Sequence, residues 1–358
     1  MKISKTKKII FATAIILIAL VGFNYETKSD KMIEYKHNTS LKIIKEDWKG
    51  NTFIDGEFAN NGKKDQKFTP FDILKWKISK NPQEKEKKDD EFTLKVIKST
   101  NFLKSNEDMI VWLGHATFFI RINGKTLITD PIFYDMPMVK RLVGLPCKVS
   151  DLKNIDYILL SHGHRDHFDK KSISELHQNN PNIEALVPLE LADFFRKEKI
   201  ANQQAGWYQK FETTKDLEIF FTPAKHWNRR GAFDFNKTLW GSFVIRANGK
   251  TIYFAGDTAY GEHFSEINKL FGNIDYCLLP VGAYKPDYIM KQSHISPNEA
   301  LAAFDNLKGK MFIPMHYATY DLADEPLGEP VRILQKNNNI QNIRILDIGE
   351  QLNLEIRI

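Results

Sequence analysis

The sequence predicts an α/β protein in which two β-sheets are covered by helices. Short apolar segments typical of strands recur from residue 109 onward, and segments typical of helices lie between them. Two Asn-Gly pairs, at 123–124 and 248–249, separate neighbouring strand segments and indicate β-hairpins. With 358 residues, 42% of them hydrophobic, the chain is long enough to bury a large core.

The individual elements follow from local patterns. Strands are expected at 110–114, 117–122, 126–130, 156–160, 217–221, 242–245, 251–255, 277–279, 311–313 and 343–346. Helices are expected around 171–178, 189–199 and 298–306. The last helix has the clearest start, because Ser296 and Glu299 form a capping-box pattern with Pro297 at the first helical position.

The N-terminus has the pattern of an export signal or a membrane anchor. Lys2, Lys5, Lys7 and Lys8 precede an uncharged, apolar run over residues 9–23. This run is shorter than the roughly 20 residues of a full bilayer span. No good cleavage site follows it, which favours an anchor over a cleaved signal. In both cases we expect the rest of the protein to be exported. It would be anchored through residues 9–23 or secreted after cleavage.

The rest of the chain divides by composition. We expect a signal or anchor at 1–23, a linker at 24–50, an extension packed on the main domain at 51–108, and the main domain at 109–358. Within the extension, residues 71–80 form a short helix candidate with mixed apolar and basic residues. This helix is expected to pack on the main domain or to lie on a membrane surface.

Charge and cysteine content exclude two classes of protein. The net charge is +6, but four of these charges are the N-terminal lysines, so the remaining chain carries only +2. We therefore expect no nucleic-acid partner. The two cysteines, Cys147 and Cys277, are too few for a fold built on disulfides.

Potential metal ligands cluster directly after the apolar strand segment 156–160. The run Ser-His-Gly-His-Arg-Asp-His contains His162, His164, Asp166 and His167. Because alternate residues of an extended chain point the same way, His162 and His164 can reach one ion. Asp166 and His167 follow where the chain turns toward the next helix, and can face a second ion.

Three further candidates, His226, Asp257 and His316, each follow another strand segment. Side chains at the ends of several strands can converge on one rim of a sheet. Imidazoles with few carboxylates suit zinc better than magnesium or calcium, and a carboxylate can bridge two ions. We therefore expect two Zn²⁺ ions. The first would be held by His162, His164, His226 and Asp257, and the second by Asp166, His167, Asp257 and His316.

The histidine-rich run resembles the signature of the metallo-β-lactamase superfamily, and the three later ligands fall where that family keeps its own. The resemblance implies an αββα sandwich of two mixed β-sheets flanked by helices, with metals between the rims of the sheets. Further segments resemble the branch of phospholipases D that hydrolyse N-acyl-phosphatidylethanolamine. They are 112–117, 129–133, 222–227, 239–242, 254–258 and 281–286, with Met290, His294 and 297–300.

This resemblance runs from about residue 50 to the C-terminus and implies an activity. The chain is expected to hydrolyse N-acyl-phosphatidylethanolamine-like lipids at a membrane surface, giving N-acylethanolamine and phosphatidic acid. A hydroxide bridging the two ions is expected as the nucleophile. Asp166, Asp257 and His294 are the expected catalytic residues, and His294 would orient the substrate or assist the leaving group unless it is a structural loop residue. The resemblance also suggests a homodimer.

Other residues are candidates for supporting roles. Asp130 resembles the family's carboxylate that fixes a ligand histidine, although it also fits a turn before Pro131. His115 is expected to line the site or to orient a ligand. Trp227, Tyr284 and Met290 are candidates to line an acyl groove, although aromatic and Met residues more often belong to a core. Arg229 and Arg230 are candidates to contact a phosphate, and they also fit surface charge.

Other functions share parts of this pattern. A lactonase or other small-ester hydrolase would use the same two metals, and a lipid-vesicle assay run beside a panel of lactones separates it from a phospholipase. Export and the near-neutral body count against a nuclease. A diiron redox protein would usually carry a carboxylate in place of His164. The full set of ligands disfavours a lipid-binding module without catalysis.

Overall fold

The computed structural model describes residues 32–60, 70–336 and 340–354. The expected signal or anchor at 1–23 lies outside these residues. From Glu34 onward the described chain belongs to one compact unit. Within the described ranges, no helix is long and apolar enough to cross a bilayer.

Most of the chain is built from short strands joined by loops and short helices. The strands are β1 (Ile33–Lys36), β2 (Lys42–Ile43), β3 (Asn51–Ile54), β4 (Glu57–Phe58), β5 (Met109–Gly114), β6 (Thr117–Ile122), β7 (Lys125–Thr129), β8 (Tyr157–Leu159), β9 (Glu184–Pro188), β10 (Ala201–Ala205), β11 (Gln209–Lys210), β12 (Leu217–Thr222), β13 (Ser242–Ala247), β14 (Lys250–Phe254), β15 (Tyr276–Pro280), β16 (Met311–Met315) and β17 (Gln351–Asn353). The helices are α1 (Pro70–Ile78), α2 (Glu84–Lys88), α3 (Asn101–Lys104), α4 (Lys170–Asn179), α5 (Asp193–Lys197), α6 (His263–Phe271), α7 (Asp287–Met290), α8 (Pro297–Asn306) and α9 (Glu329–Gln335).

Two mixed seven-stranded sheets form the body of the protein, as the sequence predicts. The first sheet has the order β10-β9-β8-β7-β6-β5-β17, and the second has the order β16-β15-β14-β13-β12-β11-β2. Strands β1, β3 and β4 form a small third sheet. Both Asn-Gly pairs form hairpin turns, with φ of 51° and 70° at Asn123 and Gly124 and similar values at the second pair.

The apolar faces of the two sheets determine how the layers pack. The largest core contains residues from the facing sides of both sheets, such as Trp112, Phe118 and Phe243, which are fully buried. Helices α6 and α8 cover the outer face of the second sheet with apolar side chains that belong to the same core. A second core lies on the outer face of the first sheet, where Ile173 and Leu176 of α4 pack. The architecture is therefore the expected αββα sandwich.

Strand direction brings the ends of several strands to one rim. In the first sheet, β5, β7 and β8 run parallel to one another, since β6 is antiparallel to both of its neighbours and β8 pairs with β7 in parallel. In the second sheet, β12, β14, β15 and β16 share one direction for the same reason. Loops that follow these strands therefore lie at common edges, where side chains distant in sequence can meet.

Two sequence expectations are wrong. Residues 343–346 form no strand, because only Ile343 makes a bridge, to Phe312, and the chain continues to β17 on the other large sheet. The described part of the expected linker, residues 32–50, contains β1 and β2, and β2 is an edge strand of the second large sheet. The extension that follows belongs to the same compact unit. Cys147 and Cys277 are both free, as expected.

Candidate metal centre

The loop after β8 holds four of the expected ligands in a fixed conformation. The backbone amide of Ser161 donates to Asp130 Oδ1 at 2.7 Å, and its hydroxyl donates to Asp130 Oδ2 at 2.5 Å. The amide of Gly163 donates to Asn228 Oδ1 at 2.8 Å. Beyond it the chain turns, since the amide of His167 donates to the carbonyl oxygen of His164 at 3.2 Å. The loop is therefore anchored to residues outside it at Ser161 and Gly163, and its turn is closed by a hydrogen bond of its own.

One group of side chains brings together three imidazoles and a carboxylate. His164 Nδ1 lies 2.9 Å from His162 Nε2 and 3.1 Å from His226 Nε2. Asp257 Oδ2 lies 3.9 Å from the Nε2 atoms of both His162 and His226. One potential ligand atom of each residue lies within 4.8 Å of the others. These are the residues that the sequence predicts for the first ion.

A second group lies beside the first and shares Asp257 with it. Asp257 Oδ2 is 3.1 Å from His167 Nε2, and Asp257 Oδ1 is 3.1 Å from His316 Nε2. Asp166 Oδ2 is 3.5 Å from both of these nitrogens. Asp257 has the geometry of a bridging ligand, because its Oδ2 lies 3.9 Å from His162 Nε2 and His226 Nε2 of the first group while its Oδ1 faces His316 of the second. His115 also belongs to this group, with Nε2 3.1 Å from Asp166 Oδ2.

The hydrogen bonds of two imidazoles fix which ring nitrogen faces the centre and can bind a cation once it is deprotonated. His226 Nδ1 lies 2.9 Å from the carbonyl oxygen of Ser293, which can only accept, so Nδ1 carries the hydrogen and Nε2 presents a lone pair. His167 Nδ1 lies 2.7 Å from Asp130 Oδ2, which fixes the same tautomer. Among the described residues, His167 Nε2, His316 Nε2 and Asp257 Oδ1 have no hydrogen-bond partner. Buried lone pairs that face carboxylates in this way fit a bound cation.

The electrostatics of the two groups differ when no cation is present. Burial lowers the pKa of His164 to about 4, so this ring is neutral at physiological pH. Burial opposes a charge on His316 as well, but the carboxylates of Asp257 and Asp166 raise its pKa to about 9. They also raise the pKa of His167 above its usual value against the effect of burial. Protons therefore occupy the second group in the absence of metal.

The other predicted residues occupy different places around the centre. His294 Nδ1 lies 3.8 Å from Asp257 Oδ2, and burial lowers the pKa of this imidazole to about 4. Arg230 donates to the carbonyl oxygens of Gly163 and Phe168, both at 2.8 Å, and so supports the ligand loop. The hydroxyl of Tyr284 is hydrogen-bonded to Glu329, and the described residues that line the cavity do not include this tyrosine.

A cavity of about 390 Å³ opens onto the metal ligands. Its floor contains His164, Asp166, Asp257, His294 and His316. Its walls are mostly apolar and consist of Trp76, Trp227, Phe235, Ile289, Met290 and Leu322, with Arg165 and Arg229 among the polar lining residues. Trp227, Met290 and Arg229, which the sequence gives as candidates for an acyl groove or a phosphate contact, line this cavity. Sequence reasoning missed Trp76, whose position depends on how α1 packs.

The sequence matches known families over most of the main domain. Residues 125–317 match the profile of the beta-lactamase superfamily domain. An N-acyl-phosphatidylethanolamine-hydrolyzing phospholipase D of Caenorhabditis elegans is 28% identical over 287 residues, which cover 76% of this chain and 79% of that protein. The mitochondrial enzyme of that name from Saccharomyces cerevisiae is 32% identical, and the match covers 63% of this chain and 50% of that protein. A metal-dependent hydrolase of Pelotomaculum thermopropionicum is 31% identical, over 68% of this chain and 99% of that protein.

Solved structures share the fold at lower identity. A metallo hydrolase from Ignicoccus hospitalis superposes with a TM-score of 0.55 at 22% identity, covering 70% of this chain and 99% of that chain. An isothiocyanate hydrolase from Delia radicum gut bacteria gives a TM-score of 0.56 at 18% identity, covering 70% of this chain and 100% of that chain. At these identities the likeness concerns the fold alone.

Proposed function

Since this chain belongs to the metallo-β-lactamase superfamily, as a metal-dependent hydrolase of the branch similar to N-acyl-phosphatidylethanolamine-hydrolysing phospholipases D, we propose that it is a dizinc phosphodiesterase. Its proposed substrates are N-acyl-phosphatidylethanolamine-like lipids. Water adds to phosphorus, and the bond from phosphorus to the ethanolamine oxygen breaks. That oxygen leaves with a proton as N-acylethanolamine, while the phosphate remains on phosphatidic acid.

The observation that carries this proposal is the contrast between the floor and the walls of the cavity. The floor presents imidazoles and carboxylates, whereas the walls present aromatic and aliphatic side chains. A substrate that fits both has a polar reacting group joined to apolar chains. A volume of about 390 Å³ holds a headgroup but not two acyl chains, so the chains of a lipid would extend through the mouth.

Helix α1, which lies at the mouth of the cavity, gives a second reason to propose a lipid substrate. Trp76 lines the cavity and fixes α1 there through a hydrogen bond of 3.0 Å from Nε1 to Asp324 Oδ1. On the outer face of this helix, Phe71 is 71% exposed, Leu74 is 55% exposed and Ile78 is 75% exposed. Exposed apolar side chains at one site are typical of a surface that contacts a partner or a membrane. We propose that α1 contacts the lipid bilayer.

The residues around the reacting phosphate have distinct tasks. Zinc ions held by the two groups would lower the pKa of water and stabilise the negative charge of the phosphoryl group. Asp257 keeps the two groups together, because its Oδ2 lies near His162 and His226 of the first group and its Oδ1 faces His316 of the second. His294 is neutral at physiological pH, so an N–H of its ring can donate to a phosphoryl oxygen or to the departing oxygen. The apolar walls exclude bulk water.

The location of the protein and its oligomeric state are further parts of the proposal. We propose that the protein is exported and held at a membrane through residues 9–23 or secreted after cleavage, on the strength of the lysine-rich start and the apolar run. The near-neutral body supports a partner other than nucleic acid. A homodimer remains a prediction from the resemblance.

The test is hydrolysis of mixed phospholipid vesicles by the full-length, zinc-loaded protein in ¹⁸O-labelled water. Mass spectrometry should find the label in phosphatidic acid and not in N-acylethanolamine, because the attack is on phosphorus. Asp257→Asn should lose activity. Label in a fatty acid, or no lipid product from a protein that contains two zinc ions, would contradict the proposal.

One observation favours a second function, hydrolysis of lactones or other small esters. The cavity volume of about 390 Å³ suits a small substrate without any contact to a membrane. A panel of lactones and aryl esters, assayed with the same enzyme preparation, distinguishes the two. Faster turnover of a small ester than of any vesicle substrate would favour this function.

A further inference from the structure

His115 lies in a strained turn, and three hydrogen bonds hold its backbone in place. It follows β5 and has a φ of 54°, in the left-handed region that non-glycine residues seldom occupy. Its amide donates to Thr319 Oγ1 at 2.7 Å. Its carbonyl oxygen accepts from Trp112 Nε1 at 2.9 Å and from the amide of His316 at 3.1 Å. Such a conformation persists only where the surroundings enforce it, which is common at functional sites.

The side chain of His115 reaches a different ligand. Its Nε2 lies 3.1 Å from Asp166 Oδ2, and a carboxylate that is ionised can only accept, so Nε2 donates. The other ring nitrogen, Nδ1, is buried and has no hydrogen-bond partner among the described residues. The ring therefore makes its one polar contact to a predicted metal ligand.

Asp166 is more exposed to solvent than Asp257, the other carboxylate at the centre. Its side chain is 17% exposed, whereas that of Asp257 is 1% exposed. Two of the predicted ligand histidines are each held by a hydrogen bond at Nδ1. His167 is held by Asp130, and His226 is held by the carbonyl oxygen of Ser293. His115 is the corresponding partner of Asp166, and it contacts the same oxygen, Oδ2, that lies 3.5 Å from His167 Nε2 and His316 Nε2.

We infer that His115 is a positioning residue for the second metal. Its side chain holds Asp166, from the loop after β8, while its carbonyl oxygen holds His316, from the loop after β16. One residue thereby fixes two ligands that belong to different sheets. This inference rests on the proposed two-metal centre, and it assigns His115 a hydrogen-bonding role rather than a bond to the metal.

The test compares His115→Asn with His115→Gln in the full-length protein. Both variants carry an amide, but the asparagine side chain is one methylene shorter and cannot reach Asp166, while it tolerates the left-handed backbone. Affinities for both zinc ions are measured by competition with a chelator, and Co²⁺ is substituted to record the visible spectrum. His177→Ala, on α4 away from the ligands, is the control for loss of a histidine.

The asparagine variant should bind one of the two ions about 10- to 100-fold more weakly and the other unchanged, as is typical when a residue behind a ligand is lost. The glutamine variant should recover most of this affinity and keep the Co²⁺ spectrum of the wild type. Wild-type affinities in the asparagine variant would overturn the inference. A changed Co²⁺ spectrum in the glutamine variant would also overturn it, by showing that His115 is itself a ligand. A wild type that binds fewer than two ions would instead defeat the proposed function.

Discussion

Asp130 holds His167 from behind, with Asp130 Oδ2 2.7 Å from His167 Nδ1. The same carboxylate accepts the amide and the hydroxyl of Ser161, so it joins both ends of the ligand loop. Asp130→Ala should weaken metal binding at the second group by about 10- to 100-fold, because the imidazole of His167 would lose its tautomer and its orientation. Chelator competition measures this effect.

The control for that prediction is Asp169→Ala, which removes a carboxylate just beyond the loop. Asp169 Oδ2 accepts from the amide of Ser172 at 3.0 Å and caps α4. Its loss should lower the free energy of unfolding by about 1 kcal/mol without changing metal affinity. If both variants lost metal to the same extent, general destabilisation would explain the result and the role of Asp130 would be refuted.

Gly256 is predicted to be essential for metal binding because it lies against the ligand loop. Its φ is 59°, and a Cβ at this position would lie 2.6 Å from the Cβ of Ser161. Gly256→Ala should therefore displace Ser161 or the adjacent Asp257 and lower metal content. Gly249→Ala is the matched control, since Gly249 has a φ of 69° but no atom within 4 Å of the added Cβ. It should cost roughly 1–2 kcal/mol of stability from the backbone alone and leave metal content intact.

Metal affinity at the second group is predicted to rise with pH. His316, with a pKa of about 9 in the metal-free protein, must lose its proton when a metal binds. Affinity should therefore increase with pH up to at least about pH 9, since His167 at the same site must lose its proton as well. His164 of the first group, with a pKa of about 4, is already neutral, so the first site should change little over the same range. Competition titrations from about pH 6 to about pH 9 test this, and a second site insensitive to pH would refute it.

The outer face of α1 is predicted to bind the bilayer. Replacing Phe71, Leu74 and Ile78 together by serine should weaken binding to vesicles, by roughly tenfold for each side chain that enters the lipid. Hydrolysis of a soluble short-chain phosphodiester should stay unchanged, because none of the three lines the cavity. Leu270→Ser, an exposed leucine on α6, is the control. Equal vesicle binding by the triple variant and the control would rule out this surface.

The sequence was sufficient to predict which His and Asp side chains lie together in the two groups, because these residues follow strands. Each ligand comes at or soon after the end of an apolar segment, and parallel strands end at one rim, so linear position indicates spatial proximity. The hairpins were equally predictable, since Asn-Gly turns adopt positive φ at low cost.

Features that depend on distant contacts escaped prediction. The sequence predicts that His115 lines the site or orients a ligand, but it does not predict the partners, because Asp166 is 51 positions away and Thr319 is 204 positions away. The edge strand β2 has two residues, too few to show a periodic pattern. Residues 343–346 have the composition of a strand, but only Ile343 finds a partner, because β17 takes the position beside β5.

The most direct test of the two-metal centre is the metal content of the purified protein at saturation. Elemental analysis of wild type and Asp257→Asn, after zinc loading and removal of excess metal, counts the ions that each holds. The position of Asp257 between the two groups predicts two ions per chain in the wild type and fewer in the variant. One ion in the wild type, or two ions held equally well by the variant, would contradict it.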